Sequence, residues 1–71
     1  MNIVYPNLKR QLSKVGVSLS ELSDILEIEL VQLEKKMSGL TSWSLIDVVK
    51  ICVFLNNPDV DFLFVQLDTN T

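Results

Sequence analysis

VSLSELSDILEIELVQLEKKMSG, residues 17–39, is the stretch whose reading decides the fold of this 71-residue chain. Ser18 and Glu21 have the spacing of a capping box: the serine hydroxyl accepts from the Glu21 N–H, and the glutamate carboxylate accepts from the serine N–H. A helix over 18–26 therefore starts here, and Leu22, Ile25 and Leu26 give it one apolar edge. Ser23 is small enough for another helix to cross closely. A second helix follows over about 30–38, with Leu33 and Met37 at i and i+4 facing inward, Glu29 as N-cap and Gly39 as C-cap. Glutamate is a weaker cap than serine, but a carboxylate at a helix N-terminus is favoured by the dipole. The stretch reads as two short amphipathic helices joined by a tight turn at Glu27 and Ile28.

The flanks complete the pattern. Pro6 suits the first turn of a helix over 6–15, and Leu8, Leu12 and Val15 follow along one edge until Gly16 stops it. Ser44, with Asp47 three residues on, opens a fourth helix over 44–55, whose inward edge reads as Leu45, Val48, Cys52 and Leu55. Asn56-Asn57-Pro58 ends it, and Asp59 caps a short helix over 59–65 that buries Phe62 and Leu63. Residues 62–67 are also rich in β-formers, so a terminal strand is the alternative there. Short connections between five short helices make a compact all-α domain.

Composition bounds the function. A chain with 48% hydrophobic and 21% charged residues folds rather than staying disordered, and its length suits one small domain. Six basic residues against nine acidic ones give a net charge of −3, without the basic excess of a strong phosphate binder. Basic partners are at least as plausible as nucleic acid. Cys52 stands alone, which excludes an internal disulfide and fits a reducing cytosol. The longest purely apolar run, Ile51 to Leu55, is far short of a membrane span, and the N-terminus lacks the pattern of a secretory signal. A cytoplasmic protein is expected, with no membrane contact. There is no histidine, no metal-ligand cluster and no glycine-rich phosphate loop, so no catalytic, cofactor or metal site is expected.

The order and spacing of these residues resemble the Cro and CI-type helix-turn-helix family of temperate-phage repressors, the lambda-repressor-like fold. The resemblance covers residues 5 to 65. It is carried by Asn7-Leu8-Lys9-Arg10, by Gly16-Val17-Ser18 leading into Glu21-Leu22-Ser23, and by Ile28 after the turn. Leu33, the run Lys36-Met37-Ser38-Gly39, Ser44-Leu45 and Lys50-Ile51 complete it. In that family the second helix of the motif lies in the major groove and the start of the preceding helix touches phosphate. The resemblance then implies a phosphate-contact position at Leu19, and groove-facing positions at Leu30, Val31, Gln32, Glu34 and Lys35.

Most of these residues do not suit DNA. Gln32 and Lys35 can pair with bases, and Lys36 and Ser38 are further candidates, but leucine offers no donor and glutamate repels phosphate. Glu27 also stands where the motif commonly has glycine, at a cost of about 1–2 kcal/mol if the turn is left-handed. Val31 lies about 160° or more around its helix from Leu33 and is expected at the surface. Leu19 and Leu30 are open to two readings, surface contact or packing. The basic residues Lys9, Arg10, Lys14, Lys35, Lys36 and Lys50 read equally as a phosphate rim or a solvated surface. Trp43 and Phe54 read as core anchors or as binding hot spots.

Leu19, Leu30 and Val31 together, rimmed by Glu27, Glu29 and Glu34, form the expected partner-binding face. Such a face matches the basic DNA-reading surface of another helix-turn-helix protein. The chain thus looks like the small antirepressors, or modulators of repression, that accompany CI-type repressors in some temperate-phage switches, which would place it in a bacterial host. A partner CI-like repressor is the leading expectation. The alternative is a conventional Cro-like repressor, a homodimer on operator DNA using Gln32, Lys35, Lys36 and Ser38.

Overall fold

A computed structural model describes residues 4–66. Five helices follow in order: α1 (Pro6–Lys14), α2 (Leu19–Leu26), α3 (Leu30–Met37), α4 (Leu45–Leu55) and α5 (Val60–Leu63). Among the described residues there is no strand, so residues 62 and 63 are helical and residues 64–66 are not extended into a sheet. Leu67, the last residue of the segment for which a strand was the alternative, lies outside the described residues.

The caps that start α2, α4 and α5 are those the sequence predicts, while at α3 it is Gln32 Oε1 that accepts from the Glu29 N–H and the Glu29 carboxylate makes no capping bond. Ser18 Oγ accepts from the Glu21 N–H at 3.1 Å while Glu21 Oε1 accepts from the Ser18 N–H at 3.2 Å. Ser44 and Asp47 repeat the arrangement at 3.2 and 3.3 Å, and Asp59 Oδ1 accepts from the Phe62 N–H at 3.1 Å. These bonds satisfy donors that a helix start otherwise leaves without partners. Gly39 ends α3 with φ +81°, and a Cβ there would lie 3.0 Å from a Val4 methyl, so both backbone conformation and space call for glycine.

The core lies where α1, α2, α3 and α4 converge, built from Leu8, Leu12, Leu22, Leu26, Leu33, Met37 and Ile51, with Tyr5 closing one side. α2 packs on α3 and α4, and α1 packs on α5. Leu63 is fully buried, while Asn7 Nδ2 donates to the Phe62 carbonyl at 3.0 Å and ties α5 to α1. Trp43, in the loop before α4, meets Tyr5 and Phe64 edge-on, with ring centroids 5.8 and 5.3 Å away. It serves as a core anchor.

Three expectations about packing need correction. α4 is rotated from the predicted edge: Leu45 is 81% exposed, Val48, Cys52 and Leu55 are half-buried, and the fully inward residues are Asp47 and Ile51. The cause is the Lys36 ammonium on α3, which lies 3.0 Å from Asp47 Oδ2 and draws that side of α4 inward. Val15 is exposed because α1 ends at Lys14 and Val15 already belongs to the turn. Phe62 is 39% exposed rather than buried, since α5 is a single turn whose inward position is taken by Leu63.

Candidate functional site: the α2–α3 face

The turn between α2 and α3 sets the aim of both helices. Glu27 closes α2 in the left-handed region, at φ 59° and ψ 41°, and its N–H donates to the Asp24 carbonyl at 3.2 Å. The Ile28 N–H donates to the Ser23 carbonyl at 3.0 Å, so the turn doubles back tightly over the end of α2. A left-handed non-glycine residue carries strain of about 1–2 kcal/mol. The turn is held even so, because Ile28 is partly buried against the core on one side and α3 starts at once on the other.

α3 then presents its outer surface. Leu30 is 41% exposed and Val31 is 51% exposed, in the first turn of the helix. Lys35 stands one turn beyond Val31 on the same face and is exposed. Glu27 and Glu29 are exposed at the approach to α3, and Glu34 is half-buried along its flank. These residues lie together on the α2–α3 side of the molecule. Leu19 does not join them at the surface: it is half-buried and packs against the core from the first turn of α2.

Several polar groups of α3 are already occupied. Gln32 Oε1 accepts from the Glu29 N–H at 3.1 Å, capping the helix, while its amide NH2 has no partner among the described residues. Lys36 Nζ pairs with Asp47, donates to the Ser42 carbonyl at 2.9 Å and sits 5.9 Å from the centre of a Trp43 ring. Its role in the structure is to fasten α3 to the loop and to α4, which sequence reading missed because the partner comes from another helix. Ser38 Oγ donates to the Lys35 carbonyl at 3.1 Å at the end of α3. Lys50 lies 3.6 Å from Glu27 Oε2. Lys35 is thus the one α3 cation without an ion pair among the described residues.

The environment of the Asp47 carboxylate shifts its titration. Burial alone would raise its pKa, but the Lys36 hydrogen bond and charge and the Ser44 contacts outweigh that and hold it below the ordinary carboxylate value. Beside this pair, an open groove of about 560 Å³ runs between α3 and the start of α4, lined by Ile28, Gln32, Lys35, Thr41 and Ile46 among others. Its walls mix apolar side chains with Lys35 and with the Lys36–Asp47 pair. Among the described residues no cluster of His, Cys, Asp and Glu could hold a metal ion, and no helix is long and apolar enough to cross a membrane.

No protein-family model matches the chain, and no curated protein matches it. The functional reading therefore rests on this face and its chemistry.

Proposed function

We propose that the chain is a helix-turn-helix regulator, with α2 and α3 as the motif, that acts mainly by binding a partner CI-type repressor over its DNA-reading face. The observation that carries this is the exposure of Leu30 and Val31 at the start of α3, where a DNA-reading helix needs hydrogen-bond donors. Apolar side chains there gain nothing from base edges other than a methyl group, but they gain burial against protein.

The charges around them support the same reading. Glu27, Glu29 and Glu34 put acidic groups beside the patch, against one unpaired cation, Lys35. This arrangement repels phosphate and attracts the Arg and Lys side chains of a DNA-binding surface. Gln32 Oε1 already accepts the Glu29 N–H at the start of α3, so a two-bond contact with adenine would compete with that cap. In this account the partner loses its operator because the two surfaces compete for the same basic residues.

Operator DNA and a CI-type repressor titrated with the protein test the proposal. A stable complex that releases the repressor from its operator supports it. Direct binding of the chain to operator DNA should be weak, with a shallow dependence on salt, because few phosphates are neutralised. Tight, sequence-specific binding lost on Gln32→Ala or Lys35→Ala would instead make the chain a Cro-like repressor.

A further inference from the structure

The groove between α3 and the start of α4 has two unlike walls. Leu26 and Ile28, at the turn after α2, and Ile46, which is 64% exposed in the first turn of α4, make one side apolar. On the α3 side stand Gln32 and Lys35, one turn apart at i and i+3, with the exposed Thr41 beyond them. The one carboxylate in the lining, Asp47, is neutralised by Lys36 at 3.0 Å. Lys35 is therefore the unbalanced charge of the groove. A chain of net −3 carries here a local positive site beside apolar surface.

We infer that this groove is a docking site for a segment of a partner protein that carries a carboxylate beside an aliphatic side chain, the carboxylate set on Lys35 Nζ and the aliphatic group between Ile28 and Ile46. It is a contact separate from the one proposed for Leu30 and Val31, and it does not depend on what that face binds.

Charge and shape together select this occupant. Lys35 is exposed and has no ion pair among the described residues, so it attracts a carboxylate, but such a pair alone contributes little. The apolar wall adds the burial that makes the contact hold, which calls for an aliphatic group next to the acid. The groove lies open between two helices rather than enclosed, so a chain can run through it. In an extended segment residues i and i+2 point the same way, roughly 7 Å apart, and present both groups to it at once. The Gln32 amide NH2, without a partner among the described residues, is free to donate to a backbone carbonyl of that segment. A nucleic-acid phosphate meets the same cation but gains nothing from Ile28 and Ile46. Glu29 and Glu34, at the start and on the flank of α3, also repel a polyanion at several charges where a single carboxylate meets them with one.

Titration of the isotope-labelled full chain with the pentapeptide acetyl-Leu-Ser-Glu-Ser-Leu-amide, followed by nuclear magnetic resonance, tests this. The amides of Ile28, Gln32, Lys35 and Ile46 should shift and saturate with a dissociation constant on the order of 1 mM, as suits a short unconstrained segment. The same peptide with glutamine in place of glutamate should bind about 3- to 5-fold more weakly. Lys35→Ala should lose that factor toward the glutamate peptide and nothing toward the glutamine one, whereas Ile46→Ser should weaken both. Both residues are exposed, so helical circular dichroism should be unchanged in the two variants. Equal binding of the two peptides, or an unchanged dissociation constant in Lys35→Ala, would overturn the inference. So would the absence of shifts at these amides up to about 10 mM peptide, or larger shifts there from a short DNA duplex than from the peptide. Shifts at the same amides on dilution of the free protein would give the groove to a second copy, and shifts on removal of residues 67–71 would give it to the chain's own end. Either result overturns the inference as well.

Discussion

Lys36 Nζ on α3 lies 3.0 Å from Asp47 Oδ2 on α4, and both side chains are largely shielded from water. This pair sets how α4 lies on the rest of the molecule, and it divides two adjacent lysines into different roles. Lys36→Ala strands a buried carboxylate and should cost about 2–3 kcal/mol of stability. Lys35→Ala touches only an exposed side chain and should stay within about 0.5 kcal/mol of the parent. Urea denaturation of the two variants checks this, and equal losses would contradict the assignment of Lys36 to the fold.

The same pair makes stability depend on pH. The folded Asp47 pKa is depressed, so the contribution is fully present above the unfolded carboxylate value, near pH 4, and is lost as pH falls through the lower folded value. The thermal midpoint of the parent should fall between about pH 5 and pH 2 more steeply than that of Asp47→Asn, whose side chain does not titrate. Parallel slopes for the two proteins would mean the pair is not formed in solution.

Leu33→Ala should cost about 2–5 kcal/mol, because that side chain is fully buried among α2, α3 and α4. Leu45→Ala should cost well under about 1 kcal/mol, since Leu45 is mostly exposed. Urea denaturation separates the two. A large loss for Leu45→Ala would restore the rotation of α4 that its sequence alone suggests.

That rotation marks the limit of what the sequence makes legible. Ser18, Ser44 and Asp59 cap their helices through residues three positions on, so helix starts are written locally and are read correctly. Leu22, Leu33 and Met37 are separated from polar neighbours at helical spacing, and their burial follows. α4 is different, because Leu45, Ile46, Val48, Val49, Ile51, Cys52, Val53, Phe54 and Leu55 leave it apolar on every side. Periodicity then selects no face, and the orientation comes from Lys36, a residue of another helix. On the candidate face, Val31 is exposed as its position opposite Leu33 requires. Leu19 is held against the core by tertiary packing that helical spacing does not encode.

Glu27→Gly tests the strain in the turn. Glycine removes the left-handed penalty of about 1 kcal/mol or more, while the Lys50 ion pair it sacrifices is exposed on the Glu27 side and worth under about 1 kcal/mol. The extra chain entropy of glycine in the unfolded state offsets part of the gain. A net stabilisation of about 0.5 kcal/mol is expected in the denaturation midpoint. A loss of more than about 1 kcal/mol would show that the Glu27 side chain does more in the turn than its contacts indicate.

The central claim is that the exposed apolar start of α3 binds a partner repressor, and Val31→Asp tests it most directly. Val31 is half exposed and lies outside the core cluster, so the thermal midpoint should stay within a few degrees of the parent, while a charge placed in the contact leaves an unpaired carboxylate and loses packing. Isothermal titration of a CI-type repressor with parent and variant is the measurement. A loss of affinity of about 30-fold or more is expected for Val31→Asp, with the fold intact. Equal affinity of the two proteins for the repressor would contradict it.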